Sequence, residues 1–154
     1  MILGVAAIWD YRKGLDAFIE LSQYLDERYK IILVGLNEKQ IEKLPDTILG
    51  VASTNTVNQL RGLYAIADVF FNPTIEDNYP TTNLEAISCG TPVITYDTGG
   101  SPESAKKFGI TICADKIVTL KEIIQGTTFK KDKIDDFDQN TMVLKYLELY
   151  NAKK

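Results

Sequence analysis

The chain has 154 residues, a net charge of −4, 45% hydrophobic and 25% charged residues, and no histidine. That length carries one domain with a real core and is short for two. The acidic balance argues against a nucleic-acid partner, the lack of histidine excludes a His-dependent triad or a His-ligated metal within this chain, and no apolar run reaches the roughly 20 residues of a membrane span.

An apolar run over residues 2–8 reads as the first strand, and its abrupt start suggests a domain taken from a longer protein. Residues 13–27 carry helical apolar spacing at Leu15, Phe18, Ile19, Leu21 and Leu25. Residues 30–35 are a fully apolar run of strand length, as expected of a strand covered on both faces. A short polar helix is predicted over 38–43, before Pro45, then a weaker strand over 48–51 and a helix over 56–67. Further strands follow at 68–72, 92–96 and 109–113, with helices opening near Thr82 and at Ser101. Helices over 116–125 and 138–151, joined by a polar stretch over 126–136, close the chain. Cys89 and Cys113 lie in apolar contexts without CxxC spacing and read as buried thiols of a reducing compartment.

Strands alternating with helices at these lengths predict an α/β domain. It is a Rossmann-like parallel sheet of about six strands, with helices on both faces and right-handed crossovers. Ligand chemistry is then expected at the carboxyl ends of the strands, at 9–14, 35–37, 53–55, 73–82 and 97–101.

Those loops hold the candidate groups. Arg12 and Lys13 stand beside Gly14 at a helix entrance, where two cations would clamp a phosphate or simply edge a solvated turn. No GxGxxG follows the first strand, so NAD binding is disfavoured. Gly35 would let a ligand approach the backbone, or it merely turns the chain. Ser53, Thr54 and Asn55 could read a base edge, but a cap for the helix starting near Thr56 is the preferred reading. Asp77 shares an acidic loop with Glu76, Asn78, Tyr79 and Pro80. The pair Thr81 and Thr82 opens a helix whose N–H groups would face an anion. Thr82-Asn83-Leu84-Glu85 fits an S/T-x-x-E capping box, the preferred role for Glu85 on the sequence alone. Ser101-Pro102-Glu103 reads as a capped helix start.

Taken in order, several stretches of residues 4–103 resemble the carboxyl-terminal, donor-binding domain of the family 4 retaining glycosyltransferases, which have the two-domain GT-B fold. They are Val5 to Trp9 leading into Arg12-Lys13-Gly14-Leu15-Asp16, then Ile32-Leu33-Val34-Gly35 and the run from Tyr64 to Thr74. Leu84-Glu85-Ala86-Ile87-Ser88-Cys89-Gly90-Thr91-Pro92-Val93-Ile94 and Thr98-Gly99-Gly100-Ser101-Pro102-Glu103 complete the set. The Glu-Ala-x-x-x-Gly-Thr-Pro-Val stretch is the specific piece, and the remaining third of the chain matches only in helical character.

The resemblance implies that residues 1–154 form the nucleotide-sugar donor domain, with an amino-terminal acceptor domain absent from this chain. The family's Glu-x7-Glu pattern falls on Asp77 and Glu85, an aspartate replacing the first glutamate. Glu85 would hold the ribose hydroxyls and Asp77 the donor sugar, while Lys13 maps to the phosphate-binding lysine. Lys13, Asp77 and Glu85 are thus the candidate catalytic residues. Arg12 would supply a second charge, because Ile8 occupies the place of an arginine found in relatives. Backbone N–H groups from Thr81 to Asn83 would complete the pyrophosphate site, and Asn55 would lie near the base.

The implied activity is transfer of a sugar from a nucleotide diphosphate sugar to a hydroxyl acceptor with retention. It is a hexosyltransferase-type reaction of surface polysaccharide or glycoconjugate synthesis, without a metal or other cofactor, and the fragment alone would be inactive. The expected location is cytoplasmic, with contact at the inner membrane face left to the absent half. A non-catalytic nucleotide-binding module of the same fold and half of a nucleotide-sugar epimerase stay open as alternatives.

Overall fold

Short β-branched and aromatic runs alternate with amphipathic stretches, and each forms the element its pattern favours. The computed structural model describes residues 1–106, 108–113, 116–131, 143, 144 and 148. The strands are β1 (Ile2–Val5), β2 (Ile31–Val34), β3 (Ile48–Val51), β4 (Val69–Asn72), β5 (Val93–Tyr96) and β6 (Gly109–Ile112). The helices are α1 (Leu15–Ser22), α2 (Glu38–Ile41), α3 (Val57–Ile66), α4 (Thr81–Ser88), α5 (Ser101–Ala105) and α6 (Ile117–Gly126), and a 3-10 turn spans Tyr11–Lys13.

The six strands form one parallel sheet in the order β3-β2-β1-β4-β5-β6. This is the doubly wound Rossmann order, as expected from the alternation. The chain steps outward from β1 to β2 and β3, then crosses back to lay β4 on the other side of β1, with Ile2 opposite Val69 and Leu3 opposite Phe70. The strand order therefore reverses between β1 and β4. Loops leaving their carboxyl ends diverge to opposite faces and leave a crevice between them.

Both faces of the sheet are covered. On one, Trp9, Phe18, Phe71 and Tyr96 meet edge to face in a chain with centroid separations of 5.6, 4.9 and 5.8 Å, joined by Leu21 of α1 and Leu120 of α6. On the other, Leu3, Phe70 and Val93 pack against Tyr64 of α3 and Ile87 of α4. Fully burying each such side chain stabilises the fold by about 1.5–3 kcal/mol.

Several expectations need correction. The first helix stops at Ser22, not near residue 27, because the Ser22 hydroxyl donates to the Ile19 carbonyl and Gln23 and Tyr24 turn back on Glu20 and Leu21. The first strand ends at Val5, and Ile8 lies exposed. Cys89 is half-buried and Cys113 exposed, since Cys113 follows the edge strand β6. The helix expected over 138–151 falls almost wholly outside the described residues, while α6 occupies the place expected for 116–125. Among the described residues, no helix is long and apolar enough to cross a membrane.

Candidate functional site

The crevice between β1 and β4 opens as a cleft of about 320 Å³, lined among others by Ala7, Lys13, Asn72, Asp77, Thr81 and Thr82. Its first wall is built from Asp10. One carboxylate oxygen accepts from the Lys13 N–H at 3.1 Å and so caps the 3-10 turn. The other takes Nε and Nη2 of Arg12 at 3.1 and 2.9 Å. The Arg12 guanidinium, followed by the Lys13 and Arg12 N–H groups, holds the Asp10 carboxyl below the ordinary carboxylate range, and Asp10 in turn raises Arg12. The Arg12 carbonyl accepts from the Ile75 N–H at 2.8 Å and the Thr74 hydroxyl at 3.2 Å, which docks the turn on the loop after β4.

Capping sends Lys13 into the cleft, where Nζ lies 2.7 Å from Oδ2 of Asp77. Both side chains are half-buried, 35% and 21% exposed, so the pair is screened less than a surface pair. Arg12 remains mostly exposed on the rim.

The acidic loop is held from two sides. Oδ1 of Asp77 accepts from the Tyr79 N–H at 3.1 Å, and the Asp77 carbonyl accepts from the Gly100 N–H at 3.0 Å. The turn at Gly99 and Gly100 is pressed against this loop. A Cβ at Gly99 would stand 2.2 Å from the Asp77 carbonyl oxygen, and one at Gly100 would stand 1.7 Å from that of Asn78. The Thr98 hydroxyl adds a 2.8 Å bond to the Thr74 carbonyl. Asn78 and Tyr79 themselves are exposed.

Pro80 is the N-cap of α4, with φ −66° and ψ 112° and no side-chain cap. The N–H groups of Thr81 and Thr82 therefore head the helix without a partner among the described residues, while that of Asn83 donates to the Pro80 carbonyl at 3.1 Å. Two amides at the helix head thus remain for an anion, in place of the three expected. The Asn83 side chain is fully buried. Its Oδ1 accepts from Nδ2 of Asn72 at 2.8 Å, and its Nδ2 donates to the Ser104 hydroxyl at 2.7 Å, tying β4, α4 and α5 together.

Other expected residues stand elsewhere. The capping box is absent, because a helix capped by Pro80 puts Asn83 at its third position and Glu85 at its fifth. Glu85 is instead bonded by the Tyr64 hydroxyl at 3.0 Å. It faces a neighbouring groove of about 980 Å³ between α3 and α4, which shares Thr81 with the Lys13 cleft. Ser101 is the first residue of α5, not its cap, and its buried hydroxyl has no partner among the described residues. At Gly35, φ is +97° and the Ala6 carbonyl oxygen lies 1.7 Å from where a Cβ would stand, so the close approach there is made by the chain itself. The cap of α3 falls on Thr56, and the exposed Asn55 gives its N–H to Oε1 of Gln59 at 2.8 Å.

Sequence reasoning missed the capping role of Asp10, although an aspartate three residues before Lys13 is N-cap spacing. It also missed the Tyr64–Glu85 bond and the Asn72–Asn83–Ser104 chain, for which no local signal exists. Among the described residues, no cluster of three or more His, Cys, Asp or Glu side chains could hold a metal ion.

Residues 1–126 match the family described as Glycosyl transferases group 1. The chain belongs to that family. It is 32% identical to the alpha-galactosylglucosyldiacylglycerol synthase of Streptococcus pneumoniae over 56% of this chain and 26% of that protein. It is 23% identical to the N,N'-diacetylbacillosaminyl-diphospho-undecaprenol alpha-1,3-N-acetylgalactosaminyltransferase of Campylobacter jejuni over 94% of this chain and 42% of that protein. The matches thus span less than half the length of these relatives. The fold is that of GT-B glycosyltransferase structures. TarM superposes with a TM-score of 0.74 at 18% identity, over 97% of this chain and 35% of that one. HepE of Anabaena, solved in complex with UDP-glucose, gives 0.62 at 20% identity, over 83% and 41%.

Proposed function

We propose that this group 1 chain is the donor-binding part of a retaining, metal-independent glycosyltransferase, and that a nucleotide diphosphate sugar binds at the β1/β4 switch point. The observation that carries the reading is the meeting of Lys13 and Asp77, 2.7 Å apart, in the cleft headed by the Thr81 and Thr82 amides, which have no partner among the described residues. A diphosphate seated there takes charge from Lys13 and two N–H bonds from the positive end of α4. The lysine has three donors, so it serves a phosphate oxygen without leaving Asp77. Asp77 is then an acceptor for hydroxyls of the donor sugar, and Glu85, across Thr81, for those of the ribose.

The chain's contribution to the chemistry is electrostatic. As the bond from the anomeric carbon to the diphosphate breaks, negative charge grows on the leaving oxygen, and Lys13 with the head of α4 is already oriented to stabilise it. Such preorganised donors act more strongly on the transition state than on the bound donor. Transfer then requires a second domain to present the acceptor hydroxyl and exclude water, so this chain alone binds the donor and transfers little. The two relatives, a galactosylglucosyldiacylglycerol synthase and an N-acetylgalactosaminyltransferase of a diphospho-undecaprenol-linked sugar, support a lipid-linked or surface glycoconjugate acceptor reached at the inner membrane face. The HepE complex with UDP-glucose supports a nucleotide-sugar donor.

Calorimetric titration of this chain with uridine, guanosine and adenosine diphosphates and their hexose derivatives tests the reading. One of the three series is expected to saturate a single site without added metal. Heat of dilution alone throughout would overturn it.

A further inference from the structure

Glu85 is exposed, on the fifth residue of α4, where an unrestrained glutamate loses its rotamer freedom only on binding. Its partner is the opposite in character. Tyr64 of α3 is 1% exposed, and its ring stands edge-on to Phe70 with centroids 5.4 Å apart. The Tyr64 main-chain carbonyl accepts from the Thr91 hydroxyl just before β5. The ring is thus fixed by packing and by its own backbone, and its hydroxyl ends 3.0 Å from Oε2 of Glu85. Burial, and then the Glu85 charge, pushes this hydroxyl well above the ordinary phenol range, so it stays a donor.

A carboxylate offers two oxygens and about four acceptor positions. Tyr64 occupies one of them on Oε2, which leaves Oε1 for a ligand in the groove that adjoins the Lys13 cleft at Thr81. An acceptor already held by a rigid donor loses less rotamer freedom when a ligand hydroxyl binds it, and the buried Tyr64 hydroxyl is such a donor.

We propose that Tyr64 is the positioning residue for Glu85, its buried hydroxyl orienting the carboxylate so that the remaining oxygen accepts from the ribose hydroxyls of the bound nucleotide. This rests on the donor-site reading above and adds to it the residue that makes the site prefer a ribonucleotide. Tyr64→Phe removes one hydroxyl and keeps the ring, so the core contact with Phe70 survives.

The test uses this chain and calorimetry with the nucleoside diphosphate that binds tightest, beside its 2′,3′-dideoxy counterpart. Wild type is expected to favour the ribonucleotide by about tenfold, and Tyr64→Phe to lose most of that preference while holding the dideoxy ligand within about twofold. Glu85→Ala, at an exposed position, is expected to abolish the preference whether or not Tyr64→Phe can be purified, and adding Tyr64→Phe to it to change nothing further. Equal weakening of both ligands by Tyr64→Phe would mark a merely structural tyrosine and overturn the inference alone, as would a preference that survives Glu85→Ala. Failure of wild type to bind any of the diphosphates would overturn the donor-site reading and this inference with it.

Discussion

Lys13 and Asp77 stand 64 positions apart in the chain and 2.7 Å apart in the fold. One follows the strand before the crossover and the other the strand after it, so the pair forms only because β1 and β4 are neighbours across the reversal of strand order. Being half-buried, it is a modest source of stability, about 1 kcal/mol at most.

Replacing Lys13 therefore separates stability from binding. Lys13→Ala is expected to shift the thermal midpoint by only a few degrees, while nucleoside diphosphate affinity falls roughly 10- to 100-fold. Asp77→Asn removes a like charge from beside the phosphates and is expected to tighten the sugar-free diphosphate by a few-fold, at the cost of discrimination between donor sugars. Calorimetry on the two variants, with and without the hexose, checks both signs.

The Gly99–Gly100 turn is the mould of the acidic loop. Gly100→Ala drives a Cβ to 1.7 Å from the Asn78 carbonyl oxygen, and a loss of about 2–4 kcal/mol is expected from overlap with backbone that has nowhere to move. Gly62, on the exposed face of α3 with nothing within 4 Å of an added Cβ, is the control. Gly62→Ala should stabilise by about 0.5–1 kcal/mol. Denaturant midpoints of the two variants should move in opposite directions.

The buried amide of Asn83 joins β4, α4 and α5. Asn83→Leu leaves Nδ2 of Asn72 without its acceptor in a buried site and is expected to cost about 2–3 kcal/mol. Ser104→Ala, which removes the acceptor of Asn83 Nδ2 and the donor to the Ser101 carbonyl but adds no bulk to the core, should cost less. Urea unfolding with an unchanged m-value checks the order.

The pH dependence has two limbs. The folded Asp10 carboxyl lies below its ordinary value, so its contribution is present above about pH 4 and is lost as the pH falls through the lower folded value. Asp10→Asn should flatten that acid limb. Burial, and then the Glu20 carboxylate, pushes Tyr96 up to about 12. Its contribution is complete below about pH 10, where the unfolded phenol titrates, and fades between there and about 12. Tyr96→Phe should reduce this alkaline limb without abolishing it, because the buried Tyr64 hydroxyl is also held well above its ordinary value, read as the thermal midpoint across pH 9–12.

Much of the fold was legible because its strands are short apolar runs bounded by turn residues, and helical spacing such as that of Leu60, Leu63 and Tyr64 is local information. The cleft's position at the carboxyl ends of the strands followed from the same alternation. What misled was the start of α4. A threonine three residues before a glutamate looks like a capping box, but Pro80, with its φ already near the helical value, takes the N-cap and moves Glu85 to the fifth position. The partnerships of Glu85 with Tyr64, and of Asn83 with Asn72 and Ser104, depend on which helices share a face of the sheet, and no local spacing encodes that. The helix capped by Thr56 missed its expected cap by one residue only.

A diphosphate bound in this fold should sit between Lys13 and the head of α4. Amide and lysine-ammonium NMR shifts during titration of this chain with a nucleoside diphosphate test it most directly. The largest shifts are expected at the Thr81 and Thr82 N–H groups and at Nζ of Lys13, with Ala7 following. Shifts concentrated instead on the pocket at the opposite end of the sheet, around Asp26, Lys30 and Thr47, would contradict it.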